Sequence, residues 1–141
     1  MNREKKELSY NWYILLPLIA LLAIVPLIVY LKVVPLDSAL SNFWTGQSEN
    51  ADFFSYYKMV WIIICSISAA AVLILLAALY GSDTVLRATF YYIPILIYVF
   101  FVILSTEFSK YVDVSLKGFP DRYEGMYVLL AYMAILIVTI N

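Results

Sequence analysis

Met59-MVWIIICSISAAAVLILLAALY-Tyr80 runs for twenty-two residues without a formal charge. As a helix rising 1.5 Å per residue it is about 33 Å long, against roughly 30 Å of bilayer hydrocarbon. Working outward, Trp12 to Leu31 is a second uncharged run, of twenty residues. Ala88 to Leu104 is a third, extendable to Val85 if the Arg87 stem lies along the apolar surface and lifts its charge to the headgroups. These three qualify as spans. A fourth begins at Met126 and runs out with Ile140 and Asn141. At about 22 Å it falls short of the far leaflet, and no lysine, arginine or interfacial tryptophan follows it. A chain cut within a longer helix explains this most simply; a deliberately short helix that thins the bilayer or leans on a partner is the other reading.

Composition agrees with the runs. The chain has 141 residues, 65% hydrophobic and 13% charged, where a soluble domain is about half apolar and about a quarter charged. So small a domain leaves much of its surface uncovered and cannot hide that excess from water. The expected fold is all-α, an integral membrane helical bundle of about four transmembrane helices, the last one cut short. Its spans lie at about 12-34, 59-80, 86-105 and 126-141, with loops at about 35-58 and 106-125 and an amino-terminal segment over residues 1-11. The first run has a basic start but a core too long, and no small-residue cleavage site, for a removed signal peptide.

Arg3, Lys5 and Lys6 precede the first run and put the amino terminus in the cytoplasm. Both loops then lie outside. The full tally is even-handed, with Arg3, Lys5, Lys6 and Arg87 inside and Lys32, Lys58, Lys110, Lys117 and Arg122 outside. Orientation therefore rests on the first helix, and basic residues kept on the outer face hint at an anionic ligand there.

Several chemistries are disfavoured. Net charge is −1 with no basic stripe, so no nucleic-acid partner is expected. Histidine, the commonest proton shuttle and metal ligand, is absent. Cys65, the lone cysteine, lacks metal-ligand spacing around it and reads as a small packing residue. No metal, cofactor or catalytic residue is expected. No run carries an acid or base near its centre, which disfavours a coupled transporter. Pro17 and Pro26 predict bends in the first helix. Ser66 and Ala70, four apart, predict a close helix contact. Phe90, Tyr91 and Tyr92 read as an interfacial belt.

The two loops hold what chemistry there is. The first carries Phe43, Trp44, Phe53, Phe54, Tyr56 and Tyr57, suited to the headgroup layer or to packing against sugar rings. Glu49 and Asp52 are candidate paired acids of a glycosidase type, though nothing in the sequence fixes their separation. In the second loop, Phe108, Tyr111, Val112, Val114 and Leu116 alternate with polar residues closely enough for a short amphipathic element. Gly118, Pro120 and Gly125 then frame a turn presenting Asp121, Arg122 and Glu124. The Arg122 guanidinium is a planar fork suited to two phosphate oxygens. Pairing with Asp121 or Glu124, or lying against ordinary lipid, is the plainer reading of the local residues alone.

The segments YNWYILLPLIALLAIVPLIVYLKVVPL, ADFFSYYKMVW and SLKGFPDRYEGMYVLLAY, above all GFPDRYEG (Gly118 to Gly125) and DFFSYYK (Asp52 to Lys58), resemble the amino-terminal membrane region of bacterial O-antigen ligase and polymerase-like proteins. The resemblance covers nearly all of this chain but only the opening part of such a protein. It implies a multi-pass glycosyltransferase of the bacterial cytoplasmic membrane that moves a glycan from a polyprenyl-diphosphate carrier to an acceptor hydroxyl, without metal or nucleotide. Arg122, in the R-x-E-G pattern, is implied as a contributor to the lipid-diphosphate site, with Glu124 and Gly125 shaping the turn. The later outer loop with its general base is missing, so the chain is expected to be an inactive amino-terminal fragment. Its expected partners are membrane lipid, a polyprenyl-diphosphate-linked glycan and the remaining polypeptide or another membrane subunit. The competing expectation is a complete small membrane scaffold or subunit of a larger complex.

Overall fold

A computed structural model describes residues 2–36, 48–81, 85–86, 90–120 and 122–141. The chain is mostly helical. In order it forms α1 (Asn2–Ala23), a 3-10 turn (Val25–Leu27), β1 (Lys32–Pro35), β2 (Glu49–Asp52), α2 (Tyr56–Tyr80), α3 (Tyr92–Glu107), α4 (Val112–Lys117) and α5 (Met126–Ile140).

Only α2, among the described residues, is long and apolar enough to cross a membrane; the apolar stretches Trp12–Leu27, Tyr92–Glu107 and Met126–Ile140 are shorter. Two of the expected spans are therefore revised. The first does not reach residue 34. Pro26 cannot donate to a carbonyl one turn back, so α1 stops at Ala23, tightens through the 3-10 turn and becomes extended from Ile28. Pro17, also expected to bend the helix, stands inside α1 without ending it. The third begins at Tyr92, not near residue 86, and Pro94 sits in its first turn, where a missing N–H costs nothing. Arg87 lies outside the described residues, as do Phe43, Trp44 and Asp121, while the side chains of Arg3, Lys5 and Lys6 are not described.

A two-stranded antiparallel ribbon adds to the helices. Lys32 pairs with Asp52 and Pro35 with Glu49, and Tyr30 N–H donates to the Phe53 carbonyl at 3.1 Å. Pro35 is tolerated because each strand has a free edge. Such a ribbon is marginal alone. Here it is fused to the start of α2 by Asp52, whose buried carboxylate accepts from the N–H groups of Phe54 and Ser55 at 2.9 Å and of Tyr56 at 2.6 Å. A carboxylate at a helix amino terminus satisfies orphan donors and opposes the helix dipole.

Small residues bring α2 and α5 together. Ser66 and Ala69 are 2% and 1% exposed, and Ser66 Oγ donates to the Ala131 carbonyl at 3.0 Å. That hydrogen bond contributes about 1 kcal/mol. The contact expected around Ser66 is present, with Ala69 rather than Ala70 at its tightest point, and Cys65 is buried beside it. One apolar cluster joins Ile14 of α1, Leu73 and Leu76 of α2, Val138 of α5, and Val85 from between α2 and α3. Ser66 meeting Ala131 while Leu73 and Leu76 meet Val138 makes α2 and α5 parallel. Helix α3 runs against α5, because Tyr92 at its start donates from its hydroxyl to Asn141 Oδ1 at 2.9 Å. Helix α1 runs against α2, with Ile14 near Leu76 and Tyr30 near Tyr57. The ribbon and the turn at residues 118–125 therefore lie at the same end of the molecule, the ribbon end.

Candidate functional site

Residues 118–125 close on themselves. The φ of Gly118 is +88°, and a Cβ there would strike the backbone of Tyr123 and Glu124. A Cβ on Gly125 would strike Gly118, Lys117 and the Leu116 carbonyl. The two glycines are the paired backbone surfaces on which the turn shuts, and no other residue type fits either place. Within it, the N–H groups of Arg122 and Tyr123 donate to the Phe119 carbonyl at 3.1 and 2.9 Å. Tyr123 is held at φ +50°, a left-handed conformation that costs a bulky residue of order 1–3 kcal/mol. Burial of its ring pins it there. With Tyr123 turned inward, Arg122 and Glu124 on either side are exposed.

The Tyr123 ring then reaches the other loop. It meets Tyr56 edge to face at 5.5 Å; Tyr56 meets Tyr57 at 5.3 Å, and Tyr57 meets Tyr30 at 5.0 Å. Lys32 Nζ lies 5.2 Å from the centre of the Tyr56 ring. Each aromatic pair is worth about 0.5–1.5 kcal/mol beyond its buried area. This chain of rings ties the turn to the ribbon and to the first turn of α2.

Between them is a hollow of about 200 Å³. The N-cap Ser55 and Lys58 and Ile62 of α2 share one face because they recur every three to four residues; Glu124, Val128 and Tyr132 approach from the α5 side. Arg122 and Phe54 complete the rim. Lys58 Nζ stands 5.6 Å from the Phe54 ring centre. Among the described residues, no ion pair joins Arg122 or Lys58 to an acid, Glu124 included. The rim thus has two cations, one carboxylate and the Ser55 hydroxyl above an apolar floor. Such a set can hold a multiply charged anion through Arg122 and Lys58.

Arg122 and Glu124, singled out in the sequence, share this hollow. Lys58 was named there only as one of five basic residues of the outer face and as the end of DFFSYYK. Its signal was its position six residues after Asp52: once Asp52 caps α2, Lys58 falls in the first turn and on the face that meets the 118–125 turn. Glu49 and Asp52 are not a catalytic pair. Asp52 is buried with three backbone N–H donors on its carboxylate, whereas Glu49 is exposed at the far end of the strand. Neither carboxylate faces a shared substrate space. Among the described residues no cluster of acids, cysteines or histidines could hold a metal ion. No protein-family model, curated protein or solved structure matches the chain.

Proposed function

We propose that this chain is a membrane-embedded helical bundle forming part of a bacterial envelope glycan ligase or polymerase, and that its ribbon end holds the diphosphate of a polyprenyl-linked glycan. The observation that carries the reading is the meeting of Asp52–Lys58 and Gly118–Gly125, far apart in sequence, around one hollow rimmed by Lys58 and Arg122. In glycan transfer the bond from the sugar's anomeric carbon to the diphosphate oxygen breaks as the acceptor oxygen bonds to that carbon. Negative charge grows on the departing diphosphate, and fixed cations beside it lower the barrier. The part assigned to this chain is that charge neutralisation; the group that takes the acceptor proton belongs to the rest of the enzyme.

Surface chemistry supports residence in lipid. Leu22, Leu27, Phe90 and Phe108 are 75 to 83% exposed, and α1, α2 and α3 carry further large apolar side chains that are mostly bare. Water tolerates no such continuous apolar surface on a monomer, whereas hydrocarbon covers it at no cost. With the amino terminus cytoplasmic, the alternation of α1, α2, α3 and α5 puts the ribbon end outside. The shorter apolar helices fit a bilayer that thins around them or a site lined by further helices. The bare outer face of α3, with Leu96 and Phe100 exposed, also suits a second reading, a scaffold or subunit pressed against another membrane protein.

Binding to the full chain in lipid nanodiscs separates the two. The lipid-diphosphate reading expects farnesyl diphosphate to bind and farnesol not to. Arg122→Gln and Lys58→Gln should each weaken the diphosphate about tenfold, the value of one partly exposed charge-assisted contact of roughly 1.4 kcal/mol. Equal affinity for farnesol, or affinity indifferent to both substitutions, would remove the diphosphate site and leave the scaffold.

A further inference from the structure

Two hollows lie along the α3–α5 seam. The one at the ribbon end is about 490 Å³, with Phe101, Ser105, Glu124 and Leu129 on its walls. The other, of about 450 Å³, is walled by Pro94, Ile95, Met133, Leu136 and Ile140. Tyr98 lines both, so they are neighbours along the seam. From Met126 to Ile140 they follow α5 for about 21 Å at 1.5 Å per residue. The seam stays open because bulky side chains, Tyr98, Met133 and Leu136, stand where the α2–α5 contact has Ser66, Ala69 and Ala131. Beyond its far end the Tyr92–Asn141 hydrogen bond ties the helices together.

The walls change character along this length. Near the ribbon end the outer hollow includes Ser105, Ser115 and the Glu124 carboxylate; the inner one is walled almost wholly by carbon. Glu124 also borders the Lys58–Arg122 hollow, which puts one end of the groove beside the cationic rim. A cationic rim beside one end of a long apolar groove has the shape of one amphiphile.

We infer that the α3–α5 groove seats the hydrocarbon chain of the same anionic lipid whose diphosphate is held at Lys58 and Arg122. The inference rests on that head-group reading and extends it, because it gives the chain a fixed path instead of leaving it free in the bilayer. Burial against protein rather than lipid offers no hydrophobic gain, since lipid tails are equally apolar. Recognition comes instead from van der Waals fit along the groove and from the charge complementarity at its mouth. The groove therefore selects a chain already attached to a suitable head.

The test is photocrosslinking of the full chain in nanodiscs by a polyprenyl diphosphate carrying a diazirine along its hydrocarbon chain. Crosslinks are expected at Tyr98, Met133 and Leu136, at least fivefold above those at Leu22 and Leu27. Unlabelled polyprenyl diphosphate should chase them, and an equal excess of phosphatidylglycerol should not. Met133→Trp, which fills the inner hollow, should reduce them about fivefold; Leu136→Phe is a milder filling variant should the first fail to fold. Labelling spread evenly over exposed apolar faces, labelling chased equally by phosphatidylglycerol, or peptide crosslinks showing a second helix in the seam would each overturn the inference. Arg122→Gln separates the two proposals. Lost groove labelling supports both, whereas undiminished, chain-specific labelling sinks the diphosphate site and keeps the groove.

Discussion

Asp52 accepts three backbone N–H donors from a buried position, so Asp52→Ala strands those donors and removes a negative charge from the start of α2. The expected loss is about 2 kcal/mol, read as a lowered midpoint of thermal unfolding in detergent; an unchanged midpoint would mean the cap is idle. Gly125 offers a cleaner probe than Gly118, because its φ of −88° suits any residue and only space forbids a side chain. Gly125→Ala should abolish farnesyl diphosphate binding by opening the 118–125 turn while far-UV circular dichroism stays the same. Retained binding would show that the turn need not close. Glycine at both ends of GFPDRYEG announced a turn in the sequence, and Arg122 and Glu124 were legible there as its presented charges. That Tyr123 would turn inward at φ +50° was not, since the reason lies in Tyr56, sixty-seven residues earlier in the chain.

Elements show a similar division. Uncharged apolar runs located the helices, because a run of more than about a dozen residues exceeds the usual length of a strand. Ends were harder. Pro26 and Pro94 set where α1 stops and α3 starts, yet proline is tolerated inside some helices, as Pro17 is here, and the neighbours that decide between these outcomes are not local. The ribbon was missed for a different reason: Lys32–Pro35 and Glu49–Asp52 are short, contain a proline, and show no regular alternation of apolar and polar residues. At the α2–α5 contact, Ser66→Ala should cost only about 1 kcal/mol, the usual net worth of one hydrogen bond. Ser66→Leu should cost several times more, because Ser66 is 2% exposed against Ala131 with no space for a larger side chain. Unfolding of both variants in sodium dodecyl sulfate titrations measures the difference, and equal losses would place the contact elsewhere.

At the scale of the whole molecule, helix alternation gathers both loops, and with them Lys32, Lys58 and Arg122, at one end. Exposed cations acting on an anion are screened by salt over about 10 Å at 0.1 M, so diphosphate binding should weaken steadily with ionic strength, and binding indifferent to salt would point to an apolar contact instead. The proposed anion site is a single one, built by two separated stretches of sequence. A double-mutant cycle tests it most directly: farnesyl diphosphate affinity measured in nanodiscs for the parent chain, Lys58→Gln, Arg122→Gln and the pair. If both cations grip the same diphosphate, removing either lets the ligand shift and spoils the contact of the other, and the two losses should fail to add by at least about 0.5 kcal/mol. Losses that sum to the double variant's within error would place Lys58 and Arg122 in independent surroundings and contradict the shared site.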